Sequence, residues 1–314
     1  MRTTLSHKQR LAFARKDLQL KLAYENQLEN NIGEPLERLY KFVCDNRLNT
    51  IDCCRANPSF GRVRDSIVKC LEQHYKSVWR GFKAFNNKNF QERLQTKGIT
   101  INDGYISPQL ERLLRVRAEQ QADLIIQNSL DIAKSRRAEI VATLLQTYID
   151  DYIDEQDERV QERAGNETLL LLLAAIGTRA ALIAQVETGY AGETAKLIGT
   201  LEVRDALLAE AAGEISEGQL GTDIRTALHT SESLEDFLDA IDDFDLIEDR
   251  DFKKEWNAIM DSKTRETHAE ADGQVQPLMS PFEVGDSLLM FPGDTSFDAD
   301  FSEIANCRCA AMYY

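Results

Sequence analysis

Long apolar runs are missing from this chain. The longest, Leu169 to Ile176, is far too short to cross a bilayer, so no membrane segment is expected. The first residues, MRTTLSHKQR, are basic but lack an apolar core, so no secretory signal is expected there. Cysteine is sparse and scattered, at Cys44, Cys53, Cys54, Cys70, Cys307 and Cys309. Adjacent Cys53 and Cys54 could form only a strained bridge, which argues against a disulfide scaffold and for reduced thiols in a cytosol. Glycine and proline are both absent from Gln109 to Ala164.

What is present is charge, unevenly placed. The net charge is −16. Residues 1–100 carry 19 Lys and Arg against 10 Asp and Glu, whereas residues 101–314 carry 18 against 43. The acidic remainder repels DNA, while the basic third could face nucleic acid or an acidic protein ring. Within HYKSVWRGFKAFNNKNF (74–90), Tyr75, Trp79, Phe82 and Phe85 keep helical spacing, which points to a core stripe rather than base stacking. Lys76, Arg80, Lys83 and Lys88 could form a basic face on the same helix.

Periodicity predicts mostly helix. A first helix is expected from Ser6 to Asn30, broken by Asn31-Ile32-Gly33-Glu34-Pro35, with a second from Pro35 to Cys44. A third should span Arg62 to Phe85. Residues 86–107 read as a linker or a small β-excursion around Ile99 to Ile101. Ser107 and Pro108 suit the start of a long helix over the Gly- and Pro-free stretch. Unbroken, it would measure roughly 80 Å at 1.5 Å per residue; a break at Asn128-Ser129 or Lys134-Ser135 would fold it into a hairpin. Apolar positions continue to Tyr148, Tyr152 and Ile153. Gly165-Asn166 should end the helix, and another should begin near Glu167.

Residues 231–251 hold ten acids and one Arg, with Leu234, Phe237, Leu238, Ile241, Phe244 and Ile247 at helical spacing. That is an acidic amphipathic helix rather than a metal cage, because oxygen sites need turn-forming ligand loops. Turns at Asp272-Gly273 and Pro292-Gly293-Asp294 flank short strands at Phe282 to Val284 and Leu288 to Phe291. The fold class is therefore mainly α with a C-terminal α+β module: elongated helical N-terminal and middle regions, then a small irregular sheet. By pattern the chain divides into 1–107, 108–200, 201–251 and 252–314.

Trp256, Asp261, Arg265, His268, Asp272-Gly273, Pro281-Phe282, Gly285, Pro292-Gly293-Asp294 and Asn306-Cys307-Arg308-Cys309 together resemble the C-terminal module of Mu F-like phage head-morphogenesis proteins. The block from Arg179 to Ala195, with Glu187 within it, resembles the helical element of the same family. The two blocks cover under a third of the chain, and residues 201–251 between them look like an insertion. The resemblance implies a phage minor head protein inside the capsid at the portal vertex, in the virion after assembly in the host cytoplasm. It implies head assembly, DNA packaging or ejection by binding, with the portal ring as partner and the major capsid or scaffold protein as further ones. Packaged DNA would lie near the basic N-terminal region. Deleting residues 1–90 would then abolish attachment and leave the C-terminal module folded.

His268, Cys307 and Cys309 are three soft metal donors. On an extended segment, residues i and i+2 face the same side, so Cys-x-Cys can present both sulfurs to one ion. The resemblance implies Cys-x-x-Cys in some relatives where this chain has Arg265 and His268, which would complete a four-ligand zinc site. Arg265 stays protonated and cannot ligate, so Asp261 or Asp272 would have to substitute. No cofactor is the expectation, with structural zinc the alternative. A Cys–His couple could also activate a thiolate, but no oxyanion site is visible and no catalytic residue is assigned. A metal-stabilised nucleic-acid-binding factor is a further reading. Asp261 and Arg265, four apart, could pair on a helix, Arg265 could reach Asp272, and Trp256 reads as a core anchor.

Overall fold

The first helix runs through its own proline. In the computed structural model, which describes residues 6–48, 50–147, 154–211, 222–242, 252–295, 297 and 299–314, helix α1 spans His7–Asp45 with Pro35 inside it. The break expected at 31–35 does not occur. Ile32, Leu36, Leu39, Tyr40 and Val43 are all buried, and burying that stripe outweighs the roughly 3 kcal/mol that an interior proline costs a helix.

Helix α2 (Ile51–Ala56) is capped by Thr50, whose side chain accepts from the Cys53 amide. Helix α3 (Phe60–Asn87) covers the predicted third helix. A 3₁₀ turn (Lys88–Phe90) and α4 (Gln91–Thr96) occupy part of the stretch read as a β-excursion, and residues 99–101 form no strand. Phe90 and Leu94 are buried there, so the segment takes helical spacing to hide them. Helix α5 (Pro108–Thr147) crosses both proposed hairpin breaks unbroken, and Ser107 Oγ accepts from the Leu110 amide at its start. Tyr148, Tyr152 and Ile153 lie outside the described residues.

Helix α6 (Glu158–Ala174) starts from Asp157 and contains Gly165-Asn166, which therefore do not end a helix. Val160 and Ala164 are fully buried and cluster with Leu144, so packing holds this turn helical despite the glycine. Helix α7 (Ile176–Ala211) carries the whole Arg179–Ala195 block. Helices α8 (Thr222–Thr230) and α9 (Leu234–Asp242) follow, the second with Leu234, Phe237, Leu238 and Ile241 buried. Phe244 and Ile247 lie outside the described residues.

The rest is α+β. Strands β1 (Lys253–Asn257), β2 (Val275–Pro277) and β5 (Ala310–Tyr313) form an antiparallel sheet in the order β2-β1-β5, with Trp256 opposite Ala311. Strands β3 (Phe282–Val284) and β4 (Ser287–Leu289) form a separate hairpin. Short helices α10 (Glu266–Glu270) and α11 (Phe301–Ile304) complete the module. The protein is thus mostly helical, with small antiparallel sheets in its C-terminal region. Pattern alone did not reveal β1 and β5, because both are buried along nearly their whole length and show no alternation.

Spatially the chain forms two compact units: Met1–Glu25 with His74–Val116 and Ala184–Tyr314, and Asn26–Gln73 with Arg117–Ile183. Division by sequence pattern is serial, whereas these units gather distant segments. In the first unit α3 packs on α7. Tyr75 Oη donates to Glu187 at 2.6 Å, Asn86 Nδ2 reaches the Lys196 carbonyl at 3.1 Å, and Lys83 pairs with Glu202 at 2.5 Å. In the second, Arg64 forks onto Asp123 at 2.7 and 3.1 Å, and Arg179 donates to the Ile125 carbonyl at 3.2 Å.

Buried His74 on α3 makes one measurable contribution. Its Nε2 lies 2.9 Å from Thr188 Oγ1, and its Nδ1 has no hydrogen-bond partner. Burial lowers its pKa from 6.5 to about 4. Between those values the unfolded chain binds a proton that the folded chain refuses, so stability falls as pH falls through that window. The expected loss from pH 6.5 to 4 is about 3 kcal/mol. Urea melts at several pH values should show it in the wild type and not in His74→Gln; parallel pH profiles would refute it.

Candidate functional site

Tight turns bring the module's polar residues together. After β1 the chain turns at Asp261, whose carboxylate accepts the Lys263 amide at 2.9 Å. Arg265 then sits at the N-terminus of α10, which presents His268. The chain returns at Asp272-Gly273: Asp272 Oδ1 accepts the Ala258 amide at 2.9 Å, and the Gly273 amide donates to the Trp256 carbonyl at 2.8 Å. Gly273 has φ +83°, and a Cβ there would stand 3.1 Å from the Arg10 guanidinium. The positive φ favours glycine, and the close guanidinium adds crowding against any side chain. At Pro292-Gly293-Asp294, Gly293 has φ +85° and Asp294 Oδ2 accepts the Met290 amide at 2.8 Å.

Trp256 is fully buried at the centre, meeting the His268 ring edge-on at 5.6 Å and Phe282 at 5.4 Å. It is a core anchor. The last turn before β5 passes through Asn306, at φ +55°, and delivers Cys307 and Cys309 to the imidazole. Cys307 Sγ lies 3.6 Å and Cys309 Sγ 3.4 Å from His268 Nδ1, and the three atoms all lie within 4.8 Å of one another. On the far side of the ring, Nε2 lies 3.0 Å from Glu303 Oε2. Thr267 Oγ1 holds that same oxygen at 2.8 Å.

The arginines pair differently from expectation. Asp261 does not meet Arg265 on a helix, because 261–264 is a turn. Arg308 takes Asp261 instead, Nη1 to Oδ2 at 2.8 Å, and holds its carboxyl well below the usual carboxylate range. Arg265 donates to the Ala305 carbonyl, bracing the turn before the cysteines. Asp272 pairs with Arg10 of α1 at 3.2 Å, not with Arg265. Both aspartates named as substitute ligands are thus held by arginines. Arg179 and Glu187 lie on α7, in the contacts described above.

Protonation follows from the geometry. The hydrogen bond with Cys309, then that with His268, holds the Cys307 thiol well below the ordinary range despite burial. Cys309 is pushed well above it by the same bond to Cys307 and by burial. Burial alone would lower His268, but its hydrogen bond to Cys307 and that thiolate's charge raise it. Elsewhere burial pushes the Cys44, Cys54 and Cys70 thiols up to about 11. Cys307 therefore differs from these three in the direction of its shift, because a hydrogen-bonding thiol and a basic ring both face its sulfur.

Beneath the site lies a charged cluster that the sequence pattern did not single out. Lys196 Nζ donates to Asp17 Oδ1 at 2.7 Å, to Glu193 Oε1 at 2.8 Å and to the Ala311 carbonyl at 3.0 Å. Lys21 Nζ donates to Glu193 Oε1 and to the Cys309 carbonyl, both at 2.8 Å, and lies 3.1 Å from Asp17 Oδ2. Glu193 Oε2 accepts the Ala311 amide at 3.2 Å. All four side chains are essentially inaccessible to solvent. Burial would raise the Asp17 pKa, yet Lys196 and then Lys21 bring it below its ordinary value. Two helices thus grip the backbone on either side of Ala310, directly after Cys309.

Cavities lie in both units among the described residues. One of about 10 Å³ adjoins the thiols, lined by Lys263, Thr264, Arg265, His268, Asn306 and Cys307 among others, with room for about one water. Another, of about 470 Å³, lies in the second unit beside Arg47, Lys134 and Arg137, and none of the predicted site residues lines it among those described. Of the basic face on α3, Lys76 lies 3.6 Å from Glu111 and Lys83 is buried against Glu202; Arg80 and Lys88 are exposed. Compared with protein-family models, curated proteins and solved structures, the chain matches none of them.

Proposed function

We propose that this is a phage minor head protein of the Mu F-like kind, which acts by binding at the portal vertex during head assembly, packaging or ejection. One observation carries the reading. Residues that bear the resemblance yet lie more than forty positions apart converge on one node: Trp256, His268, Cys307 and Cys309, with Asp261 and Arg265 bracing the terminal turn. A motif whose members meet in this way behaves as a folding signature rather than a chance string.

Binding is favoured over turnover by the space available. Cys307, His268 and Glu303 stand in the order that activates a thiol nucleophile. The cavity beside the thiol, however, is about 10 Å³, too small for any organic substrate. The portal ring is the proposed partner, with capsid or scaffold protein secondary. DNA contact is confined in this proposal to exposed cations of the basic N-terminal third, such as Arg80 and Lys88.

The test uses the full chain. Co-expressed with a portal protein from the same genome, the chain should co-sediment with assembled rings through a sucrose gradient, and mass spectrometry should find it in purified heads. Sedimentation as a free protein, together with its absence from heads, would refute the assignment.

A further inference from the structure

Two thiols and an imidazole share one side of the node, and their spacing is that of a coordination shell. Tetrahedral zinc, with bonds of about 2.3 Å to sulfur and 2.0–2.1 Å to nitrogen, sets its sulfur and nitrogen ligands roughly 3.6 Å apart. Here the two Sγ–Nδ1 distances are 3.6 and 3.4 Å. Both sulfurs approach the same ring nitrogen, which has one lone pair or one proton to offer and so can satisfy only one of them as a hydrogen-bond partner.

The far side of the ring supports the same reading. Glu303 Oε2 lies 3.0 Å from Nε2 and is itself held by Thr267. Nε2 is in ion-pair contact with this carboxylate without hydrogen-bonding geometry, and a negative charge there favours the tautomer with its proton on Nε2, which leaves the Nδ1 lone pair facing the sulfurs. His268 is buried, and its ring is fixed between Trp256 and this carboxylate. The ligands are therefore preorganised, and Arg265 and Asn306 shape the turn that presents the sulfurs.

We propose that His268 Nδ1, Cys307 Sγ and Cys309 Sγ bind one zinc ion, with Glu303 as the positioning residue behind the imidazole. Two thiolates and a neutral imidazole are soft donors that select zinc over magnesium or calcium. Binding releases the remaining thiol protons to solvent, and the dication cancels the two thiolate charges. Three protein ligands leave a fourth position. Neither Asp261 nor Asp272 fills it, since arginines hold both. The adjoining cavity has room for one water, which completes the shell. The site braces the C-terminal turn from outside while the buried lysines hold it from within. It is independent of the virion reading: zinc binding can fail while portal association stands, and the reverse.

The experiment uses the full chain, purified under reduction. Elemental analysis should return about one zinc per chain. Titrating the apo protein with cobalt(II) should give the intense visible bands of a tetrahedral centre and near-ultraviolet sulfur-to-cobalt charge transfer, saturating at one equivalent. Cys307→Ser, Cys309→Ser and His268→Gln should each weaken metal retention against a chelator by at least tenfold. Glu303→Gln should keep the spectrum and lose 10–100-fold in affinity. The cobalt titration of unmodified protein decides the matter even if a variant fails to fold. A colourless titration, octahedral-type weak bands, or a thiol assay showing Cys307 and Cys309 joined as a disulfide in the reduced preparation would each overturn the proposal.

Discussion

Replacing Lys196 with methionine should destabilise the first unit by about 3–5 kcal/mol, enough to remove most of the stability of an ordinary domain. The ammonium is completely buried and bonded to Asp17, Glu193 and the Ala311 carbonyl. Without it, two carboxylates face one remaining cation, Lys21, in a site with no solvent access, and a buried uncompensated charge is among the costliest single defects. Methionine matches the lysine stem in length, so the effect isolates the charge. The nearby Phe13 and Phe82 rings, 5.7 and 5.8 Å from Nζ, would pack the thioether. The double variant Asp17→Leu with Lys196→Met leaves the Lys21–Glu193 pair intact and should recover most of the loss, because buried pairs are often replaceable together by apolar groups. Thermal and urea denaturation of the three proteins would measure this. A single variant within about 1 kcal/mol of wild type would show that the cluster contributes nothing of the kind.

The second large effect is a truncation. Removing residues 1–25 should unfold the C-terminal module, although the first of those residues and the last of the module stand at opposite ends of the sequence. Arg10 holds Asp272 at 3.2 Å beside the Gly273 turn. Lys21 holds the Cys309 carbonyl at 2.8 Å, and Asp17 holds Lys196. Ala14 is fully buried in the same unit. Truncation therefore strips the module of the Arg10 and Lys21 contacts, and it takes Asp17 from Lys196 and Lys21 from Glu193, leaving that buried pair with only each other and the Ala311 backbone. Trp256, now wholly inaccessible, should report the loss through red-shifted fluorescence, and trypsin should degrade 252–314 that it spares in the full chain. A protease-resistant 252–314 fragment from the truncated protein would contradict the account. The expectation that deleting 1–90 leaves this module folded is thereby reversed, and such a deletion cannot separate attachment from folding. Surface substitutions that leave α1 in place are the better way to map a docking face.

Much of the helical layout was legible. The apolar spacing in 62–85 gave α3 almost to its ends, and Ser107-Pro108 gave the start of α5, but that helix stops at Thr147 and not at Gly165. Where local rules failed, burial prevailed. Pro35 and Gly165 are both breakers by local preference, and each sits inside a helix whose neighbours on the sequence are buried apolar residues. For the site, residue type was enough to nominate His268, Cys307 and Cys309, since soft donors are rare in this chain. It was not enough to find Glu303, one acid among 53 Asp and Glu, or to say which arginine meets which aspartate. Asp17 with Lys21 and Glu193 with Lys196 look like ordinary surface pairs three or four residues apart on a helix.

By itself, the order of residues determined the helical class, the irregular end module and the identity of three donor groups, because periodicity, turn chemistry and soft-ligand chemistry are properties of short windows. Only the tertiary structure decided that α1 closes over the last strand, that four charges lie dry beneath it, and that both sulfurs share one nitrogen. Burial and charge pairing depend on distances between segments hundreds of residues apart, and no local pattern encodes those distances.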